Sequence, residues 1–313
     1  MTEEQLTFGD AKIVETLNTV FQLFKEGDFS GSMELLSKAM EIDLSYPGLS
    51  ATFQCASFWK ERREKDAGAK EPFEKGEILL AQWKLFLVFL ERLPDVPEKC
   101  LYALKRHVFA KALGYFNRIA ETEDADLFFR IGRCNKGLGN YDAATEALEK
   151  ANRCRPEDPG ILAELADCYS LVSEVRAAKV FFREAFFLDP QAPDLASLES
   201  PMIQRLAARV RRMGIAEPEV AEWIPVYGTV YGVFNVKRQM KPLELGKLKQ
   251  SIYALEKDVG RPDRPASLVP RLINRYFWLI DHYLGSGEEK EKVGEILEKI
   301  RDLHPEVHRE YIN

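Results

Sequence analysis

Hydrophobic residues along most of this chain recur at intervals of three and four, which is the spacing of one face of an α-helix. The densest apolar run, from Ile78 to Leu90, predicts a helix that is apolar on most sides and therefore buried in the core. Lys84 interrupts this run, and it is shorter than the roughly 20 residues that a membrane span requires. The pattern predicts an all-α protein without a membrane segment.

One stretch departs from the helical pattern. Between Val226 and Arg238 the sequence reads "VYGTVYGVFNVKR", in which valine, tyrosine, threonine and phenylalanine favour extended chain. Gly228 and Gly232 each lower helix propensity by about 1 kcal/mol relative to alanine. We therefore predict a short extended or hairpin-like insertion near 224–238. A distorted helix is the alternative, because four aromatic residues recur here at intervals of three or four. These residues are Trp223, Tyr227, Tyr231 and Phe234.

Two consecutive segments align with each other without a gap, beginning at Ala125 and at Pro159. Gly132 aligns with Ala166, and Pro156 aligns with Pro190, 34 residues further along the chain. Small residues allow two packed helices to approach closely, whereas a proline ends a helix because it cannot continue the hydrogen-bond ladder. The two segments are therefore expected to be successive helical hairpins.

This period and residue pattern resemble those of the tetratricopeptide repeat (TPR). The resemblance implies an all-α, TPR-like helical-hairpin solenoid in three parts. Residues 1–121 form an N-terminal helical region with one repeat-like hairpin and further degenerate repeats. Residues 122–200 hold two TPR repeats. Residues 201–313 hold capping helices, the insertion and a terminal helical hairpin.

A solenoid of this family binds other proteins through a groove lined by the first helix of each repeat. The resemblance therefore implies a protein-interaction scaffold or adaptor. Its partner would be a protein or peptide with an acidic segment, to which Arg130 and Arg133 would donate hydrogen bonds. The alternative is that the two arginines are neutralised across the groove by Glu164 and Asp167. The residues expected on the groove are Asp126, Phe129, Arg130, Arg133, Lys136, Glu164 and Asp167.

The aromatic side chains near 224–238 must be covered in the folded protein, and two arrangements would cover them. Tyr227, Tyr231 and Phe234 could pack on the preceding hairpin and seal the end of the repeat core. Alternatively they form an exposed patch for a partner or a second subunit, with Lys237 and Arg238 at its rim.

The net charge and the basic segment of the chain provide evidence on functions other than protein binding. A formal charge of -6 and a pI near 5.5 argue against general attraction to nucleic acid or anionic lipid. The basic helix 203–213 leaves a nucleic-acid-associated regulator as an alternative function, although a capping helix explains the same residues. The arginines near one face of that helix are Arg205, Arg209 and Arg212.

Signals of catalysis are weak throughout the chain. His304 and His308 have the spacing of two helical zinc ligands but lack the accompanying glutamate, and none of the common nucleotide-binding or serine-hydrolase motifs occurs. We expect no catalytic, metal or cofactor site, with an enzyme whose site lies in the C-terminal region as a further alternative. The five cysteines include no C-x-x-C pair and the N-terminus is acidic, so a cytoplasmic location is expected. The oligomeric state stays open.

Overall fold

The computed structural model describes residues 8–65, 70–119, 123–237, 240–286 and 290–313, and these residues form helices and no strands. The prediction of an all-α, TPR-like helical protein is thereby confirmed. The helices are α1 (Phe8–Glu26), α2 (Phe29–Ile42), α3 (Leu49–Lys65), α4 (Pro72–Leu90), α5 (Glu98–Phe116), α6 (Ala125–Gly137), α7 (Tyr141–Cys154), α8 (Pro159–Leu171), α9 (Val175–Leu188), α10 (Pro201–Arg212), α11 (Glu219–Val230), α12 (Pro242–Val259), α13 (Leu268–Ser286), α14 (Lys290–Leu303) and α15 (Pro305–Ile312).

The predicted extended insertion near 224–238 is wrong. Helix α11 continues to Val230, and residues 231–237 form turns and irregular chain rather than a strand. The alternative of a distorted helix describes the stretch better, since α11 contains Pro225 within it.

Burial explains why α11 is helical against its local preferences. Pro225 and Gly228 lower helix propensity by about 3 and 1 kcal/mol respectively. Val220, Ile224 and Val226 are each 0% exposed, and burying such a side chain contributes roughly 1.5–3 kcal/mol. The apolar contacts of α11 therefore outweigh the propensities on which the prediction rested.

The chain divides into two compact units, unit 1 from Met1 to Ala147 and unit 2 from Leu148 to Asn313. The boundary falls inside α7, whereas the sequence segments meet at 121/122 and at 200/201. The division into three segments stays a prediction, since the two units describe how the chain is packed and not where its repeats begin and end. Each unit contains its own hydrophobic core.

Unit 1 begins with a helical hairpin in which Gly27 has a φ of 80° and Asp28 caps α2. Helix α1 packs against both α2 and α5, α2 packs against α3, and α5 packs against α4 and α6. Gly137 allows α6 to pack closely against α5, because a Cβ at this position would lie 2.6 Å from the ring of Phe109. This arrangement holds the start of the first TPR segment firmly against α5.

Aromatic rings connect α3 and α4 in the core of unit 1. Phe58 lies 5.1 Å from Phe86 and 4.8 Å from Phe89 between ring centroids, and Trp59 stacks on Trp83 at 6.4 Å. Nevertheless, only Gly76, Leu79 and Phe86 of α4 are fully buried. The prediction that this helix is buried is therefore wrong for much of its surface. No helix in the described ranges is long and apolar enough to cross a membrane.

Unit 2 is organised around α11, which contacts α9, α10, α13 and α15. Helices α8 and α9 pack against each other, and Ser173 in the turn between them has a φ of 67°. Helix α13 packs against α12 and α14 as well as against α11. The first half of the stretch that was expected to be an insertion, up to Val230, is thus part of the central helix of this unit.

Candidate protein-interaction site

Helix α6 carries five of the predicted groove residues and is delimited by local signals. Its N-cap is Asp124, whose carboxylate accepts hydrogen bonds from the backbone N–H groups of Asp126 at 2.8 Å and Leu127 at 3.4 Å. After the helix, Gly139 adopts a φ of 80°, in the left-handed region that glycine enters without strain. Gly132 is buried, as the alignment of small residues requires.

Phe129, Arg130 and Arg133 lie together on one side of α6. The guanidinium carbons of Arg130 and Arg133 are 5.2 and 5.8 Å from the centroid of the Phe129 ring. All three side chains are half-buried. A cation at this distance from an aromatic face is attracted by the ring, which limits how far each guanidinium group moves.

Arg130 also forms an ion pair with Glu77 of α4. Its Nε and Nη2 donate to the two carboxylate oxygens of Glu77 at 2.5 and 3.0 Å. Their side chains are 24% and 36% exposed, so water still reaches the pair. The carboxylate that engages Arg130 is therefore one that the sequence reasoning did not consider.

The other two predicted residues of α6 differ in accessibility. Asp126 is exposed at the start of the helix, where an acidic side chain is favoured by the helix dipole. Lys136 is only 3% exposed. The expectation that Lys136 lies on a solvent-facing groove is wrong, because almost none of this residue is accessible to solvent.

Glu164 and Asp167 of α8 are buried, at 3% and 0% exposure. Asp167 accepts hydrogen bonds from the backbone N–H groups of Glu199 at 2.9 Å and Ser200 at 2.7 Å, and Glu164 accepts one from the hydroxyl of Ser197 at 2.8 Å. The expectation that these carboxylates face a solvent-filled groove is wrong. They instead fix the segment that leads into α10, whose first N–H groups need acceptors.

Residues 125–158, which form α6, α7 and the turn after them, match the family model of the tetratricopeptide repeat. The chain carries a tetratricopeptide repeat. A comparison with curated proteins found no match to the chain. The repeat and the helical architecture around it suggest, in general terms, a scaffold for protein–protein interaction.

Beyond the matched repeat, the aromatic residues of α11 lie inside unit 2. Tyr227 is 5% exposed and Phe234 is 1% exposed. The rings of Tyr227 and Tyr231 are stacked at 5.6 Å, and Phe234 stacks on Phe186 of α9 at 6.1 Å. The interpretation as an exposed patch is therefore wrong for Tyr227 and Phe234, which belong to the core.

Tyr231 lies at the edge of this cluster and is half-buried. The guanidinium carbon of Arg209 lies 3.4 Å from its ring centroid. Burial raises the pKa of Tyr231, and burial raises the pKa of Tyr227 to about 12. Lys237 lies 3.4 Å from a carboxylate oxygen of Asp281, while Arg238 lies outside the described residues.

The basic helix α10 turns an apolar face into the core of unit 2 through Ile203, Leu206 and Val210. Its arginines are exposed, and one of them, Arg211, pairs with Glu217. Together with the stacking of Arg209 on Tyr231, these contacts account for the amphipathic pattern of the helix.

His304 lies immediately before α15, whereas His308 lies within that helix. His304 is the N-cap of that helix, and its Nδ1 accepts a hydrogen bond from the backbone N–H of Val307 at 3.3 Å. Within the described part of the chain, no group of three or more histidine, cysteine, aspartate or glutamate side chains is arranged to hold a metal ion.

Sequence reasoning missed a cleft of about 500 Å³ between α3 and α4, here called the α3–α4 cleft. A helix that is apolar on most sides leaves an apolar stripe exposed when its neighbours cover only part of it, so the run from Ile78 to Leu90 contained this signal. The lining residues are Gln54, Ser57, Phe58, Glu61, Arg62, Leu85, Val88, Phe89 and Arg92.

Sequence reasoning also missed two ion pairs inside unit 2. Arg183 donates to Asp281, 98 residues away, and Arg271 donates to Glu222, 49 residues away. Arg183, Asp281 and Glu222 are at most 9% exposed. No local pattern indicates such pairs, because the partners meet only when distant helices pack.

Proposed function

We propose that this protein is an interaction scaffold, not an enzyme, and that it binds an acidic segment of a partner protein through α6. The binding face consists of Phe129, Arg130 and Arg133 on the helix that lines the groove in the repeat family. The observation that carries the proposal is the pair of guanidinium groups held beside one aromatic ring at 5.2 and 5.8 Å.

Electrostatics support an acidic ligand for this face. Guanidinium groups bind carboxylates with paired, charge-assisted hydrogen bonds, and a half-buried aromatic ring adds apolar contact area. Glu77 holds one edge of Arg130 and so orients its other edge before a partner arrives. A partner carboxylate then binds without ordering that side chain anew, which reduces the entropic cost of association.

Because Lys136, Glu164 and Asp167 are buried, the proposed binding face is limited to Phe129, Arg130 and Arg133, which are half-buried. We also propose Tyr231 as a contact for a partner, because its ring is only half-buried beneath Arg209. We propose a cytoplasmic location, which the five cysteines without a disulfide support.

The experiment is cross-linking in native extract with mass spectrometry, followed by recovery of the identified partner with charge-reversed variants. Arg133→Glu and the double variant with Arg130→Glu should reduce recovery about tenfold or more, because each reversal places a carboxylate against an acidic segment. The matched control is Arg153→Glu, an exposed arginine on α7 of the same repeat.

Circular dichroism should show unchanged helical content in all variants, since the substituted side chains are not in the core. Equal recovery of the partner by Arg133→Glu and the parent protein would place the binding surface elsewhere.

A further inference from the structure

Two large apolar side chains of α4 are exposed at the α3–α4 cleft. Leu85 is 57% exposed and Val88 is 52% exposed, and they lie three residues apart on one face of the helix. Phe58 and Phe89 form the floor beside them. On folded proteins, contiguous exposed apolar patches are enriched at sites where another molecule binds.

Two arginines line the same cleft. The guanidinium carbon of Arg62 lies 3.3 Å from the Phe58 ring centroid, and its Nη1 donates to the Phe58 carbonyl at 3.2 Å. Arg92 lies in the turn two residues after the end of α4, four residues beyond Val88. In the part of the chain that the structure describes, neither guanidinium group is paired with a carboxylate. Glu61 is the single acidic residue in the lining, so the cleft carries an excess of positive charge.

We infer that the α3–α4 cleft is a second docking surface of the scaffold, and that it binds a partner segment in which large apolar residues adjoin aspartate or glutamate. The apolar residues contact Leu85, Val88 and Phe89, and the carboxylates pair with Arg62 and Arg92. This inference shares with the proposed function only the premise that the protein binds other proteins. The two sites are independent, because the cleft and the α6 face are built from different residues.

The excess positive charge of the cleft favours an acidic partner segment over a second copy of the chain as its occupant. In a two-fold symmetric dimer the same patch lies on both sides of the interface. Arg62 and Arg92 of one copy would then approach the same cations of the other, which disfavours that contact. An acidic segment removes the excess charge instead.

The test uses a display library of random peptides, selected on the full chain with Arg133→Glu so that peptides specific to the α6 face are not enriched. Enriched peptides are labelled, and their dissociation constants are measured by fluorescence anisotropy for the parent protein, Leu85→Ser and Arg92→Glu. Control variants are Leu243→Ser and Arg212→Glu, which change an exposed leucine and an exposed arginine in unit 2. Because Leu85 is exposed, Leu85→Ser should leave the melting temperature nearly unchanged.

The expected result is a set of peptides that combine large apolar with acidic residues and bind both cleft variants about tenfold or more weakly. The controls and Arg133→Glu should bind these peptides as the parent does, so failure of the α6 proposal would not affect this result. The inference is overturned if no peptide is enriched, if the enriched peptides are basic, or if the cleft variants bind them normally. A dimer that Leu85→Ser converts to a monomer would assign the cleft to self-association and would also overturn it.

Discussion

At the scale of single residues, the buried charges of unit 2 show how distant helices are joined. Glu222 of α11 is 1% exposed and accepts hydrogen bonds from Nε and Nη2 of Arg271 at 2.8 and 2.6 Å. Gln191 donates to the same carboxylate at 3.0 Å. Arg271 of α13 also lies 3.3 Å from Asp189 at the end of α9. One carboxylate thus connects three elements of the unit.

Replacing Glu222 tests this connection. Glu222→Ala should lower the free energy of unfolding by about 1–3 kcal/mol, because it leaves hydrogen-bond donors without their acceptor. The larger loss known for fully buried pairs is not expected, since the Arg271 side chain is 36% exposed and can be hydrated. Urea unfolding measures the change. Glu219→Ala, at an exposed position of the same helix, should change stability by less than about 0.5 kcal/mol; equal effects would contradict the assigned role.

At the scale of the element, α11 and α4 both differ from what their own sequences predict, and they differ in opposite directions. Helix α11 has poor helix propensity and is helical because other helices cover it. Helix α4 is apolar on most sides from Ile78 to Leu90, yet Leu85 and Val88 remain exposed because its neighbours cover only part of its surface. In both elements the neighbouring helices, not the residues of the element, decide how much is buried.

Gly228 of α11 gives a test at this scale. A Cβ at Gly228 would lie 2.4 Å from Phe234, whose side chain is 1% exposed and cannot move freely. Gly228→Ala should therefore destabilise the protein by about 1–3 kcal/mol through overpacking, despite the higher helix propensity of alanine. Gly246→Ala in α12 is the matched control, because no atom lies within 4 Å of its added Cβ.

The control substitution should stabilise the protein by roughly 0.4–1 kcal/mol, since only the propensity and unfolded-state effects remain. Denaturant midpoints of both variants measure the two changes. If both glycine substitutions stabilise the protein, the close approach of Phe234 to α11 is contradicted.

At the scale of the whole molecule, the chain contains two compact units with separate cores. Phe86 is fully buried in the core of unit 1, and Phe277 is fully buried in the core of unit 2. Regions that unfold cooperatively often coincide with such units. A substitution that destabilises one core should therefore increase hydrogen exchange first in the helices of the same unit.

Hydrogen exchange measured by mass spectrometry tests this expectation. Phe277→Ala should cost about 3–5 kcal/mol of stability and should raise exchange in α11, α13 and α15 before α1 and α5. Phe86→Ala should produce the reverse order. A uniform loss of protection over both units in either variant would show that the chain unfolds as a single cooperative body.

The sequence by itself determined the all-α class and the register of the first tetratricopeptide repeat. Helical periodicity is local, and Gly132 and Gly139 occupy positions at which a close helix approach and a left-handed turn admit few other residues. These features were read correctly because the information that specifies them lies within one hairpin.

Only the tertiary structure decided which side chains are exposed and which charges are paired. The repeat position of Asp167 does not indicate that it is buried. Its carboxylate oxygens accept hydrogen bonds from backbone N–H groups that are 32 and 33 residues away in the chain. The stretch at Gly228 became a helix because packing energy exceeded local propensity, and Leu85 remained exposed because no described helix covers it. Burial and ion pairing depend on contacts between residues far apart in the chain, so the pattern around any one residue does not specify them.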